Sequence, residues 1–327
     1  MLKNITTCLV LLSTLFSIAQ TSILDSETKT PVSYTTISFG NGNGIFADDD
    51  GKFLFTKKLY SDIDTLFISS LGYKDLKVAT QNLAKTIYLK PEADKLQEII
   101  VKTKPKGKFK IEKIKPTTHE DYYKCWLPTI ESEIAVFFPN VDKKTKRLTQ
   151  VYLPIKVEAK TWHKRKQAKS KKKTFSTLFR VNFYENDNGK PGNVLTYDKV
   201  VFIATQANEK IYELDVSKYD IFIPKSGAFI SLQVLGYTDK KGKLIPNKKY
   251  QEIKTKRGIV KVSTTFRPLL PFTDKISVKR TYVKRIFLNG NKWVLYDKKN
   301  IKKSNLLLSG LNNYGIGIKM EVYKKED

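Results

Sequence analysis

Short runs of β-branched and aromatic residues, separated by clusters of Gly, Asn, Asp and Pro, recur along almost the whole chain. Their period is near two, and some runs are apolar throughout, as in strands that are covered on both faces. No long amphipathic helical pattern interrupts them. After residue 119, the clearest runs span 133–138, 150–157, 178–184, 199–203, 228–234 and 316–323. The pattern predicts an all-β chain with a small sandwich followed by a larger, jelly-roll-like sandwich.

The N-terminus has the three parts of a secretory signal peptide. Residues 1–19 carry one cation at Lys3, then a short apolar core, then small side chains at Ser17 and Ala19. The core is too short for a transmembrane span, which needs roughly 20 apolar residues. Cys8 lies inside this core and not at its end, so the pattern does not predict a lipid anchor. We expect export to the periplasm or to the outer membrane, in preference to release.

Residues 22–103 form the first unit after the signal peptide. Strand-like runs at 34–39, 45–47 and 64–69 alternate with turn clusters, which predicts about seven strands in a small sandwich. The pair Asp50-Gly51 lies between two alternating runs and predicts a hairpin, because Gly adopts positive φ at little cost.

Ordered motifs within this unit resemble a known domain. They are 26–32 (SETKTPV), 49–53 (DDGKF), 68–73 (ISSLGY), 87–89 (IYL) and 96–101 (LQEIIV). The unit resembles the carboxypeptidase-regulatory-like domain, a transthyretin-like (Ig-like) β-sandwich found at the N-termini of many TonB-dependent receptors. The resemblance implies no peptidase activity, since this domain only accompanies a peptidase. The remaining chain is too short for a receptor plug and barrel.

A basic segment rich in Lys, Pro and Gly, 104–118, follows and predicts a linker to a second unit over 119–327. The most distinctive parts of that unit are 180–192, 212–219 and 223–230. They resemble a β-sandwich domain of secreted Bacteroidota proteins for which the resemblance implies no function. Its likeness to carbohydrate-binding modules is one of fold alone.

The charge is strongly unbalanced. The chain has 60 basic and 32 acidic residues and a net charge of +28, which falls by one if Lys3 leaves with the signal peptide. Such a surplus attracts polyanions, among them acidic polysaccharides, lipopolysaccharide phosphates, acidic lipid headgroups and nucleic acid. Nucleic acid ranks below glycans because an exported protein meets little of it. The alternative is that dispersed lysines only solubilise strands and protect sheet edges.

The densest basic run, residues 160–173, contains no acid and is called the basic loop below. Its charges repel one another, which predicts a loop between two strands. Cations at this density bind phosphates or uronic acids by releasing counterions, and an adjacent tryptophan can stack on a sugar ring. The candidate ligand-binding residues are Lys160, Trp162, Lys164, Arg165, Lys166, Lys171, Lys172 and Lys173. A solvated loop without function is the alternative.

The sequence offers few groups for chemistry. The two histidines, His119 and His163, lack the further ligands that a zinc site needs, and no nucleophile elbow or phosphate-binding loop is present. Asn186–Gly189 leaves calcium binding open, although a tight loop capped by its own side chains is favoured. Asp48–Asp50 is explained by the predicted hairpin. Cys125, alone once Cys8 is removed, is expected to be a buried thiol without a disulfide.

These observations predict an exported, non-enzymatic binding or accessory protein of the cell envelope that has no catalytic residues, metal or cofactor. Its expected ligand is an anionic glycan, lipopolysaccharide or another envelope polyanion. The alternative is a structural or assembly partner that docks on an outer-membrane or periplasmic protein. An unrecognised hydrolase is a third possibility, and its most obvious version would use His119 or His163.

Overall fold

The computed structural model describes residues 20–40, 42–92, 105, 107–161, 170–208, 210–246, 250–255, 258–288 and 292–324. The signal-like segment 1–19 therefore lies outside the described residues. Within these ranges the chain is nearly all β, as the alternating pattern predicts. Among the described residues, no helix has the length and apolar character required to cross a bilayer.

Seven short strands form the first unit. They are β1 (Thr21–Asp25), β2 (Thr36–Ser38), β3 (Gly44–Phe46), β4 (Lys52–Phe53), β5 (Thr65–Ser69), β6 (Leu76–Ala79) and β7 (Thr86–Leu89). One sheet has the order β4-β1-β7, with β1 parallel to β7, and the other has the antiparallel order β3-β2-β5-β6. Both sheets contribute to one core, in which Ile23, Ile37, Leu66 and Ile87 are buried. This is the small seven-stranded sandwich expected from the sequence.

The turn at Asp48–Gly51 forms, but it does not connect a hairpin. Asp48 Oδ1 accepts hydrogen bonds from the backbone N–H groups of Asp50 (3.1 Å) and Lys52 (2.7 Å), and Gly51 has φ +69°. However, β3 before the turn pairs with β2, whereas β4 after it pairs with β1 in the other sheet. The turn is therefore an arch between two sheets, and the hairpin prediction is wrong at this point.

The second unit holds the remaining elements. The strands are β8 (Phe109–Ile114), β9 (Cys125–Trp126), β10 (Ser132–Phe138), β11 (Lys146–Pro154), β12 (Ser176–Asp187), β13 (Lys190–Val194), β14 (Val200–Thr205), β15 (Ile211–Asp215), β16 (Phe222–Ile223), β17 (Ala228–Tyr237), β18 (Tyr250–Thr255), β19 (Gly258–Ser263), β20 (Leu270–Thr273), β21 (Thr281–Arg285), β22 (Val294–Leu295), β23 (Asn313–Tyr314) and β24 (Gly317–Tyr323). Helical structure among the described residues is limited to α1 (Asn305–Leu308) and two 3-10 turns, Tyr122–Lys124 and Ser217–Tyr219.

Two large sheets of this unit pack around one core. The first has the order β13-β12-β17-β10-β21-β22, with β14 also paired to β12, and the second has the order β15-β11-β24-β8, with β16 also paired to β11. Val136, Phe183 and Leu232 from the first sheet meet Val151 and Ile318 from the second in a cluster that is almost fully buried. Side chains alternate along each strand, so a strand places every second residue in this core.

The expected linker over 104–118 is in part a strand. Residues 109–114 form β8, which pairs antiparallel with the last strand, β24, in the register Ile318–Ile114 to Tyr323–Phe109. Phe109 and Ile111 are about half exposed, so the sequence of β8 alone does not suggest a covered strand. Its backbone hydrogen bonds are made with the edge of β24 that faces away from β11. This partner lies some 200 residues away in the chain.

The two units share an interface. The Phe46 and Phe287 rings lie 5.3 Å apart at their centroids, and Phe287 is fully buried. Ser38 Oγ donates to the Phe287 carbonyl oxygen at 2.8 Å. Lys243 Nζ reaches Asp50 at 3.0 Å and Asp48 at 3.4 Å. An apolar contact and fixed polar contacts therefore hold the small sandwich against the larger one.

Candidate functional site

The described part of the basic loop is its base, where the chain forms a short two-stranded ladder. Lys160 N–H donates to the Lys171 carbonyl at 2.7 Å, and Lys173 N–H donates to the Glu158 carbonyl at 2.8 Å. Ala159 forms a bridge with Lys172 between these bonds. Two extended segments therefore meet at the ends of the basic run, Ala159–Lys160 on one side and Lys171–Lys173 on the other. Of the predicted ligand-binding residues, Trp162, Lys164, Arg165 and Lys166 lie outside the described residues.

One cation of the loop base is already engaged in an ion pair. Lys173 Nζ lies 2.9 Å from Glu158 Oε2, and Arg267 Nε lies 2.6 Å from the same oxygen. Burial raises the pKa of Glu158, but the hydrogen bonds and charges of Lys173 and Arg267 outweigh this effect and lower it. Lys160, Lys171 and Lys172 are exposed. Three lysines of the loop base are therefore exposed to solvent, whereas the fourth, Lys173, forms an ion pair with Glu158.

Glu158 also lines an open cleft of about 1080 Å³ in the second unit. One side of the cleft is formed by the 3-10 turn at Tyr122–Lys124 and by β9. The other sides are formed by the segment before β20, by strands β21 and β22, and by the segment that leads into α1. Its lining combines aromatic and aliphatic side chains with several cations. Such a volume is slightly above the usual range for ligand pockets, about 300–1,000 Å³.

The floor of the cleft is aromatic and tightly packed. The Trp126 ring lies 5.3 Å from that of Phe272 and 5.2 Å from that of Tyr296, measured between centroids. Tyr296 Oη and Ser304 Oγ are hydrogen-bonded at 2.6 Å, so both hydroxyls are engaged with each other. Cys125 beside them is buried and free of disulfide, as expected, and burial together with the Asp121 charge raises the pKa of its thiol to about 12.

Tyr122 connects the cleft to the basic loop. Its hydroxyl donates to the Val157 carbonyl at 3.2 Å and accepts from Ala159 N–H at 3.3 Å, and its side chain lines the cleft. Glu158 lies between these two residues in the chain and lines the cleft as well. The loop base and the cleft are therefore parts of one continuous surface.

Cations dominate the charge of the cleft lining. Arg267, Arg285, Lys292 and Lys303 line it, and Glu158 is the one acidic side chain among the described lining residues. Lys292 and Lys303 are exposed, and Arg285 is 55% exposed with a long 3.7 Å contact to Glu131. Because Glu158 is paired with Lys173 and Arg267, it does not cancel the remaining positive charge at the cleft mouth.

His119, a residue that the hydrolase alternative depends on, has a structural role. Its Nε2 lies 2.8 Å from the Phe272 carbonyl and 3.1 Å from the Lys124 carbonyl, and its Nδ1 accepts from Asp121 N–H at 3.2 Å. These contacts require the tautomer with the proton on Nε2. Both ring nitrogens thus bind backbone groups, which leaves neither available as a general base. His163 lies outside the described residues.

The acidic and Asx-rich loops are also used for structure. Among the described residues, Asp48, Asp49 and Asp50 form the one group of carboxylates with metal-like spacing. Lys243 reaches two of them from the second unit, so the group forms part of the interface between units. In the Asn186–Gly189 loop, Asn186 Oδ1 accepts from Gly189 N–H at 2.9 Å, which is the self-capped turn that the sequence favours.

No sequence pattern indicates the cleft. One wall is local, since Tyr122, Tyr123 and Trp126 form an aromatic cluster that the sequence displays within five positions. The opposite wall comes from residues 267–306, and no local pattern predicts that these segments meet. Neither a protein-family model, nor a curated protein, nor a solved structure matches the chain. The two family resemblances therefore stay predictions from sequence motifs.

Proposed function

We propose that the chain is an exported, non-enzymatic binding protein of the cell envelope, and that it holds an anionic glycan or another envelope polyanion in the cleft and against the adjoining basic loop. The observation that carries this proposal is the charge of the cleft. Four cations line it, and one of them, Arg267, joins Lys173 in neutralising Glu158, the one acid among the described lining residues. Arg285, Lys292 and Lys303 remain to meet an anion. Exposed Lys160, Lys171 and Lys172 extend the positive surface beyond the cleft.

Export rests on the signal-like segment 1–19, and a location in the periplasm or at the outer membrane rests on the resemblance of 22–103 to the carboxypeptidase-regulatory-like domain. The seven-stranded, two-sheet arrangement of β1 to β7 supports that resemblance. The non-enzymatic part of the proposal is supported by His119, whose ring nitrogens both bind backbone groups.

Binding of the purified chain to anionic and neutral polysaccharides, measured at low and at physiological salt, tests the proposal. Suitable probes are polygalacturonate and lipopolysaccharide against dextran. We expect binding to the anionic polymers alone, with an affinity that falls steeply with salt because counterions are released on binding. No binding to any probe at low salt would contradict the proposal and favour the alternative, a partner that docks on another envelope protein.

A triple variant distinguishes the effect of the basic surface on binding from the effect of the overall net charge. Replacing Lys160, Lys171 and Lys172 by glutamine removes three exposed cations from the loop base, and we expect weaker binding and a salt slope reduced by about two to three. The matched control replaces three exposed lysines of the small sandwich, Lys58, Lys85 and Lys90, by glutamine. Equal slopes in the two triple variants would mean that only net charge matters.

A further inference from the structure

Exposed apolar side chains gather around the cleft. Tyr123 is 71% exposed, Leu127 46%, Leu288 42% and Val294 37%, and all four line it. A folded chain loses stabilisation wherever large apolar groups remain in water, and a contiguous group of them at a concave site marks a binding surface. The exposed groups stand on three separate segments, so they meet only in the folded protein.

The floor beneath them is aliphatic and aromatic. Leu269, Tyr296 and Leu306 are buried there, and Trp126 is half-buried against them. The hydroxyls of Tyr296 and Ser304 are bonded to each other. A polysaccharide chain would bring many hydroxyl groups onto this floor, and each one that loses its water without a partner costs free energy. An apolar chain loses nothing by the same transfer.

The cations lie at the exposed part of the lining and not on the buried floor. Lys292 and Lys303 are exposed side chains, and Arg285 is more than half exposed. Arg267 stands beside Glu158 at the end that adjoins the basic loop. An apolar interior with positive charge at its mouth is complementary to a molecule that has an apolar chain and an acidic head.

We propose that the cleft binds an acyl or alkyl chain that carries an acidic headgroup, phosphate or carboxylate, with the chain on the Trp126 floor and the head among Arg285, Lys292 and Lys303. This inference rests on the proposed function and narrows its ligand to an anionic amphiphile. The competing outcome of the test is that the cleft binds an anionic polysaccharide that has no apolar chain.

Titration of the full chain with a chain-length series tests the inference, with Trp fluorescence or calorimetry as readout. The probes are hexyl, octyl and decyl phosphate, decanoate, inorganic phosphate and decyl maltoside, each below its critical micelle concentration. Each added CH₂ group that enters the cleft is expected to tighten Kd by about threefold to fourfold. Decyl phosphate and decanoate should bind at least tenfold more tightly than decyl maltoside, which has the chain but no charge.

Paired variants locate the effect in the cleft. Leu127→Asn with Val294→Asn changes two exposed apolar residues of the lining and should weaken decyl phosphate at least tenfold. Leu308→Asn with Val278→Asn is the matched control, since these residues are 65% and 70% exposed and do not line the cleft. Lys292→Gln with Lys303→Gln should abolish the preference for decyl phosphate over decyl maltoside.

The outcomes separate the inference from the proposed function. A Kd independent of chain length, together with salt-sensitive binding of polygalacturonate, would overturn the amphiphile and leave the polyanion-binding function standing. Equal losses in the lining and control variants would also overturn it, because binding would then lie outside the cleft. If none of the amphiphiles and none of the anionic polymers binds, both the amphiphile inference and the proposed function are overturned.

Discussion

The buried carboxylate of Glu133 on β10 provides the sharpest test of the fold. Glu133 is 2% exposed on the face of the first sheet that is turned away from the main core. Its Oε1 accepts hydrogen bonds from Asn182 Nδ2 (2.8 Å), Tyr184 Oη (2.8 Å) and Ser231 Oγ (2.6 Å). Lys284 Nζ lies 3.2 Å from Oε2. Strands β12, β17 and β21 thus all contribute a group to one acid.

Replacement of Glu133 by alanine should cost about 4 kcal/mol. Removing one partner of a buried, hydrogen-bonded charge pair costs about 3–5 kcal/mol, because the remaining groups stay buried without partners. Ser231 is fully buried and Tyr184 nearly so, and neither can turn to water. For a chain of this size the loss corresponds to a fall in Tm of about 10 °C. Glu133→Gln keeps an acceptor of the same size and should cost only about 1–2 kcal/mol.

Urea denaturation followed by tryptophan fluorescence and far-UV circular dichroism measures these changes. Glu213→Ala is the control, since Glu213 is an exposed glutamate on a strand, and it should change the free energy of unfolding by less than about 0.5 kcal/mol. If Glu133→Ala costs less than about 1 kcal/mol, or no more than this control, then the four-strand network around the acid is not as described.

The same acid predicts a pH dependence. Burial raises the pKa of Glu133, but the Lys284 charge and the hydrogen bonds from Ser231, Asn182 and Tyr184 outweigh this effect and lower it. A carboxyl group whose pKa is lowered by folding stabilises the folded state at pH values above its pKa in the unfolded chain, about 4.3. That stabilisation is lost as the pH falls through the pKa of the folded state. The difference in stability between the wild type and Glu133→Gln should therefore be constant above about pH 5 and shrink at lower pH.

Three further outcomes are expected. Phe287→Ala empties the fully buried contact with Phe46 and should cost about 3–5 kcal/mol in urea denaturation, whereas Phe109→Ala, at a site 43% exposed, should cost less than half of that. Gly44→Ala places a Cβ 2.4 Å from the Phe287 ring and should cost about 1–3 kcal/mol in the same assay. The Cys125 thiol, with a pKa of about 12, should not react with Ellman's reagent at pH 8 until the chain is unfolded, so rapid reaction of the native protein would contradict its burial.

Strand positions follow from local pattern and are largely predictable. The runs at 133–138, 228–234 and 316–323 coincide with β10, β17 and β24 to within a few residues. Alternation of apolar and polar residues suffices there, because a strand with one or two covered faces must display it.

The pairing partners of β8 and β4 are distant in the chain, so no local pattern predicts them. Residues 109–114 have a linker-like, lysine-rich sequence, yet they form β8 because the edge of β24 offers free backbone groups. The Asp50-Gly51 turn has the residues of a hairpin, yet β3 and β4 join different sheets. In both cases the hydrogen-bond partner is chosen by the packing of distant segments, which no short window of sequence records.

The all-β class and the large positive charge follow from the residues alone. Where that charge lies on the protein surface depends on the fold. The fold brings Trp126, Glu158, Arg267 and Lys303 to one cleft and pairs Glu158 with both Lys173 and Arg267. The exposed side chains of Lys292 and Lys303 then determine the charge at the cleft mouth. Charge and strand propensity are properties of single residues, whereas a cleft is a property of which strands pair, and that is settled by burial of one shared core.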